Sequence, residues 1–287
     1  MNKGMKEAMY YTKLKEKIVQ CRICPRNCVI KPNELGFCKA RENNNGRLFS
    51  VVYATPYSVA VDPIEKKPLF HFLPGSKAYS FGTAGCNLRC KFCQNWTISQ
   101  ALPKDAPFID ISPEKIVEEA LAKGCESIAY TYTEPTIFYE YVLDTAKLAR
   151  KKGLKNVSIT NGFINQEPLK ELYKYIDAAN IDLKGFTDKF YKEICGARIQ
   201  PVLDSIKEMQ KMGVWIELTN LIIPTLNDDL NNIKKMCMWI KKNLGKDVPL
   251  HFSRFFPDYL LRNLPPTKPE TLIEAGKIAK KSGLNYV

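Results

Sequence analysis

No apolar run in this 287-residue chain approaches the 18 or more residues that a membrane helix needs, which excludes a helical membrane span. The first twenty residues, MNKGMKEAMYYTKLKEKIVQ, lack the apolar stretch of a secretion signal, so a cytoplasmic protein is expected. Low-complexity tracts and long linkers are absent. Acidic residues are in deficit: 30 Asp and Glu stand against 43 Lys and Arg, a net charge of +13. A surplus of that size is compatible with nucleic acid or an acidic partner. The basic residues, however, sit mainly in helical stretches (KKG, IKK, KKNLGK, AKKSG) as scattered solvated faces. No interleaved arginine–aromatic platform appears, so a non-catalytic RNA-binding module is the weakest reading and nucleic acid is not an expected partner. With 45% hydrophobic and 25% charged residues, the chain can build a sizeable core.

What the sequence has in excess is cysteine. Ten cysteines without an export signal read as thiols or metal ligands rather than disulfides. Cys21, Cys24, Cys28 and Cys38 crowd CRICPRNCVIKPNELGFC; Cys86, Cys90 and Cys93 form a second cluster in GTAGCNLRCKFCQNW. Cys125, Cys195 and Cys237 stand alone and are expected to pack as small hydrophobes.

Apolar spacing at Met5, Met9, Tyr10, Leu14 and Ile18 predicts an amphipathic helix over the first twenty residues. Residues 47–60 suggest a strand or hairpin, and DPIEKKPLFHFLPG a packed connector. From residue 77 strands alternate with helices: AYSFGT, SIAYTYT, VSIT, AANIDLK, VWIELTNLII and PLHFSRF are strands, and LNYV at the end opens a further one. Six strand–helix units predict an α/β fold, an open, partial (β/α)6 TIM-like barrel over residues 77–287. Residues 1–76 form an N-terminal helix, a four-cysteine metal-binding module and a connector.

Cys86, Cys90 and Cys93 have C-x3-C-x2-C spacing directly after the first barrel strand, on a rim where such folds build their sites. Three thiolates leave one coordination position free, which fits an iron–sulfur cluster with an open iron or a zinc site with a distant fourth ligand. Spacing alone does not choose. The loop GCNLRCKFCQNW resembles the CxxxCxΦC cluster loop of radical S-adenosylmethionine (SAM) enzymes, with Phe92 as the aromatic residue. TYTEP, SITNGF, NIDLKGF and WIELTNLIIPTLND are similar to strand-end motifs of the pyruvate formate-lyase activating enzyme and other glycyl-radical-enzyme activases. The CxxCPRxC…GxC module and HFSRFFPDY resemble the radical SAM member of the AmmeMemoRadiSam system.

The resemblance implies a 4Fe–4S cluster on Cys86, Cys90 and Cys93, with SAM on the open iron. Reductive cleavage of SAM to a 5′-deoxyadenosyl radical and hydrogen abstraction from a substrate would follow. It also implies an electron donor such as ferredoxin or flavodoxin, and the other two AmmeMemoRadiSam proteins as partners. Glu134 falls at the position that receives the SAM amino group; Thr160 and Asn161 at the methionine or ribose portion; Asp182 and Lys184 beside SAM, the lysine toward its carboxylate. Asn220 and Ile222 alternate near the expected adenine and ribose site. His251, Ser253 and Phe255 share one face of the sixth strand, divided between core and substrate. Each residue also has a plainer reading: Glu134 as a helix cap, Asp182 and Lys184 as an ion pair, Asn161-Gly162 as a turn. A glycyl-radical activase acting on a partner protein is the enzymatic alternative. Cys21, Cys24, Cys28 and Cys38, at C-x2-C-x3-C-x9-C, suit a closed zinc site or an auxiliary 4Fe–4S cluster, with zinc slightly favoured.

Overall fold

The structure, a computed structural model, describes residues 4–287. Its centre is a seven-stranded sheet: β1 (Ser58–Pro63), β2 (Lys77–Gly82), β3 (Ser127–Tyr130), β4 (Lys155–Thr160), β5 (Ala178–Asp182), β6 (Trp215–Ile222) and β7 (Leu250–Arg254). Spatial order follows chain order from β1 to β7. β2 to β7 pair in parallel, and β1 joins β2 antiparallel at one edge. Six parallel strands in sequential order make the partial barrel that the β/α alternation predicts. The antiparallel edge strand spans the end of the segment read as strand or hairpin, residues 58–60, and the start of the connector.

The central strands form because both their faces are covered: all four residues of β3 are buried, whereas the edge strands β1 and β7 stay largely part-exposed. Helices α1 (Pro113–Ala122), α2 (Tyr139–Lys151), α3 (Gln166–Leu172), α4 (Gln200–Lys211), α5 (Leu230–Leu244) and α6 (Pro269–Lys281) cover the outer face. Local chemistry sets where they start. Ser112 accepts from Lys115 N at 3.3 Å with Pro113 in the first turn, and Asp229 accepts from Asn232 N at 2.8 Å. The closing LNYV makes no strand; Leu250 N donates to Tyr286 O at 3.0 Å and pairing stops there. Among the described residues no helix is long and apolar enough to cross a membrane.

The N-terminus corrects the sequence expectation. Three residues of the expected helix lie outside the described residues; the rest form short strands broken by turns and one 3-10 turn at Lys15–Lys17. Lys6–Glu7 pairs with Arg47–Ser50, which pairs with Arg41–Asn44. Tyr11–Lys13 pairs with Val19–Cys21, which pairs with Val29–Ile30. Tyr10, Glu16 and Lys17 are left-handed, with φ of 54°, 56° and 58°. Strand partners, about forty residues away for Lys6–Glu7 and six to ten away for Tyr11–Lys13, decide the conformation here over the local apolar period. The two small sheets share one hydrophobic core with the barrel. The buried Arg41 Nη1 donates to Glu140 Oε1 of α2 at 2.8 Å, the same oxygen that accepts from Met9 N at 2.7 Å.

The connector does more than link. Pro68 O accepts from Asn180 Nδ2 of β5 at 2.9 Å, and Phe70 N and His71 N donate to Glu217 of β6 at 3.0 and 2.9 Å. The segment therefore plugs the N-terminal mouth of the barrel.

Candidate active site

The parallel strands end together at the opposite, C-terminal rim. Cys86, Cys90 and Cys93 follow β2 there, and the returning chain holds their loop: Arg89 N donates to Cys195 O and Lys91 N to Ile194 O, both at 3.0 Å. Gly85 precedes the first cysteine at φ +98°, and a Cβ there would lie 2.3 Å from the carbonyl of Cys38. Only glycine lets the two backbones meet so closely. Leu88 N donates to Cys86 Sγ at 3.4 Å, and Ser99 Oγ lies 3.3 Å from Cys93 Sγ.

The three thiols line a cavity of about 470 Å³ together with Phe92, Glu134, Thr160, Asn161, Asp182 and Lys184. These come from the cluster loop and the ends of β3, β4 and β5, so separate stretches of sequence converge on one space. Glu134 is fully buried. Its Oε1 accepts from Thr136 N (3.0 Å), Thr136 Oγ1 (2.7 Å) and Thr160 Oγ1 (2.9 Å), and its Oε2 from Asn161 N (2.8 Å). Burial pushes its carboxyl up, and the donors of Asn161, Thr136 and Thr160 offset only part of that. The cap reading is thus real, and the residue faces the cavity as well. Lys184 Nζ bonds Asp182 Oδ2 at 2.8 Å and lies 5.7 Å from the centroid of the Phe92 ring. Burial opposes its charge, but Asp182 and Cys90 outweigh this and hold the amine well above the usual lysine range.

Two expected contacts are corrected. Asn220 and Ile222 turn away from the cavity: Asn220 Nδ2 donates to Leu183 O at 2.6 Å, and Ile222 is in the core. Thr219 and Leu221 line it instead. Alternation along β6 is as expected, with the parity shifted by one, and a shift of one exchanges the two faces. On β7 only Ser253 lines the cavity; Phe255 is buried in the core, and His251 Nε2 lies 2.7 Å from Glu217 Oε2 in the plug. Sequence reasoning also missed Asn87, fully buried, which accepts from Asn161 Nδ2 at 2.9 Å and donates to Phe163 O at 2.8 Å. Its position between Cys86 and Leu88 was the available signal. Cys195 packs as expected, but against the thiol of Cys90.

The sequence profile of the radical SAM superfamily matches residues 81–237, from β2 into α5. The chain belongs to the radical SAM superfamily. An uncharacterised protein of Methanocaldococcus jannaschii is 51% identical over 99% of this chain and 84% of its own length. The pyruvate formate-lyase-activating enzyme of Clostridium pasteurianum is 25% identical over 67% of the chain and 84% of its own. A radical SAM methyltransferase of Sphaerobacter thermophilus shares the fold, with a TM-score of 0.58 at 13% identity, over 75% of this chain and 67% of that one.

Radical SAM enzymes use a 4Fe–4S cluster and SAM. The residues of this radical SAM chain fit both. Three thiols bind three irons and leave the fourth open. Burial and then Glu134 push the Cys86 thiol up, contact with Cys195 and then burial push Cys90 up, and burial pushes Cys93 up. Thiolates in such surroundings need a cationic group among them. A cavity of about 470 Å³ is of ligand size.

Proposed function

We propose that the rim cavity binds SAM against a cluster held by Cys86, Cys90 and Cys93, and that the enzyme abstracts hydrogen from its substrate as the radical SAM member of the AmmeMemoRadiSam system. The convergence of three thiols, a buried carboxylate and a partly buried lysine on one cavity carries this reading. When bound, the cluster and SAM supply one-electron cleavage of a sulfonium carbon–sulfur bond and, with it, hydrogen abstraction.

The chain's residues bind and orient. Glu134 Oε2, with one backbone donor, has room to accept from the SAM ammonium, while Oε1 is fixed by Thr136 and Thr160. Lys184 gives one of its three donors to Asp182 and keeps others for the SAM carboxylate. Thr160 and Asn161 act largely through Glu134 and Asn87, holding the strand end that meets the methionine and ribose portion. Thr219 and Leu221 take the adenine side assigned from sequence to Asn220 and Ile222. Phe92, stacked 6.3 Å from Phe190, keeps water from the loop. Ferredoxin or flavodoxin supplies the electron, and the other two proteins of the system are the expected partners. The CxxCPRxC…GxC and HFSRFFPDY segments support membership of that system.

A glycyl-radical activase is the second reading, favoured by the 25% identity to the Clostridium activating enzyme. Both readings require SAM cleavage. Anaerobically reconstituted protein should convert SAM to 5′-deoxyadenosine under strong reductant, and the Cys86/Cys90/Cys93→Ala variant should fall to background. Undiminished cleavage in that variant overturns the assignment.

A further inference from the structure

The second cysteine group lies outside the cavity just described. Cys21, Cys24, Cys28 and Cys38 line a small void beneath the N-terminal sheets, walled also by Ile23, Ile30 and Ile137 and by Arg26 and Arg41. Two features of this void are unexplained by packing. Arg41 is 1% exposed, and its Nε and Nη2 have no hydrogen-bond partner among the described residues, since only Nη1 reaches Glu140. Buried N–H groups of a cation are rarely left so, because each forfeits hydration without return. The four sulfurs also surround the void without closing on it. They lie within electrostatic reach of one another, Cys21 and Cys38 also of Arg41 and Cys24 and Cys28 of Arg26. Yet among the described residues no three Cys, His, Asp or Glu side chains converge tightly enough to hold a single ion.

A tetrahedral zinc draws its four thiolates to about 2.3 Å from one point and so to about 3.8 Å from each other. A cubane cluster holds its cysteines further apart, with inorganic sulfides between them. The rim loop is an internal standard: Cys86, Cys90 and Cys93, the cluster ligands of a radical SAM fold, likewise do not converge on a single-ion point.

We propose that Cys21, Cys24, Cys28 and Cys38 hold a second 4Fe–4S cluster, not zinc, with Arg41 donating its two free N–H groups to the cluster's sulfurs. Four protein ligands close every iron, so this cluster binds no SAM. It stands beside the first, because the backbones of Cys38 and Gly85 touch and Gly85 adjoins Cys86. Arg26 and Arg89 strengthen the junction: Arg26 Nε donates to Asn87 O at 2.6 Å, Arg89 Nη2 donates to Phe37 O, and both guanidinium groups stack on Phe37 at 3.4 and 4.1 Å. Electrons from a one-electron protein donor therefore have a second cluster next to the one they must reach.

Iron, acid-labile sulfide and zinc analysis of the full chain, purified and reconstituted anaerobically, tests the proposal. About eight irons and eight sulfides per chain are expected in the wild type, four for each cubane. The Cys86/Cys90/Cys93→Ala variant should keep about four, with an electron paramagnetic resonance signal on reduction. That result stands whether or not the wild type cleaves SAM, so it is separable from the functional reading. If the triple variant does not fold, the wild-type count decides alone. About four irons with one zinc in the wild type, or zinc without iron in the triple variant, overturns it.

Discussion

Cys86, Cys90 and Cys93 on the rim, and Cys21, Cys24, Cys28 and Cys38 under the N-terminal sheets, use the same side chain in different housings. The rim thiols open on a cavity of about 470 Å³ into which three strand ends place a carboxylate, an ion pair and hydroxyls. The other four face a small void with isoleucine walls, the buried Arg41 and the partly buried Arg26. The neighbours, more than the thiols, separate a cavity open to a ligand from a closed void, the one proposed above to hold a second cluster. Arg41 and Lys184 make the same contrast in cations. Lys184 is paired by a carboxylate beside open space, whereas Arg41 is paired by Glu140 and otherwise enclosed.

The largest effect that separates the two sites is expected at Arg41. Arg41→Met strands Glu140 in the core, and loss of one partner of a buried pair costs about 3–5 kcal/mol. Arg41→Met/Glu140→Leu removes both charges and should recover most of that in denaturant unfolding. If the double variant regains stability but holds only about half of the wild-type iron, Arg41 serves the cluster as well as the fold. If it regains both stability and iron, the guanidinium is structural only and the two sites are more alike than their walls suggest.

Much of this contrast was legible in sequence, for reasons that differ by region. The rim loop declared itself because its three cysteines are close in the chain and follow a strand, and the alternation of β-branched runs with capped helices fixed the barrel. Glu134, Asp182 and Lys184 could be named because each ends a strand. Asn220 and Ile222 could not be told from Thr219 and Leu221, since all of β6 but its two partly exposed positions is buried and both faces look alike. The strand Lys6–Glu7 was misread as helix because its partner, Arg47–Ser50, lies far along the chain. Arg41 carried no local signal at all; its partner Glu140 is 99 residues away.

A smaller effect, confined to the rim, is expected from Glu134→Gln. The change keeps the shape and the bonds from Thr136 and Thr160 but removes the charge offered to an ammonium. A charged hydrogen bond is worth about 1.5–3 kcal/mol, so SAM should bind about ten- to a hundredfold more weakly by equilibrium titration. The iron count should stay at the wild-type value. Unchanged SAM affinity would return Glu134 to the role of a cap and remove the main polar difference between the two cysteine sites.

The smallest effect lies at the other end of the barrel, which should be indifferent to both clusters. Glu217 accepts from Phe70 N, His71 N and Trp215 Nε1, and His251 Nε2 is at 2.7 Å. Burial pushes its carboxyl up, but His251, Trp215 and the two backbone donors together hold it below the ordinary glutamate value. Because the folded value is the lower one, the plug contributes fully above about pH 4.3 and loses that contribution as pH falls through the folded value. Glu217→Gln should therefore cost about 1–2 kcal/mol at neutral pH and flatten the loss of stability seen in acid melting curves below about pH 4.3. SAM cleavage by the same variant should change by no more than about twofold, since Glu217 itself does not line the rim cavity. A drop as large as that of Glu134→Gln would mean that the plug shapes the rim cavity through Pro68, which lines its floor, and the two ends of the barrel would have to be treated as one site.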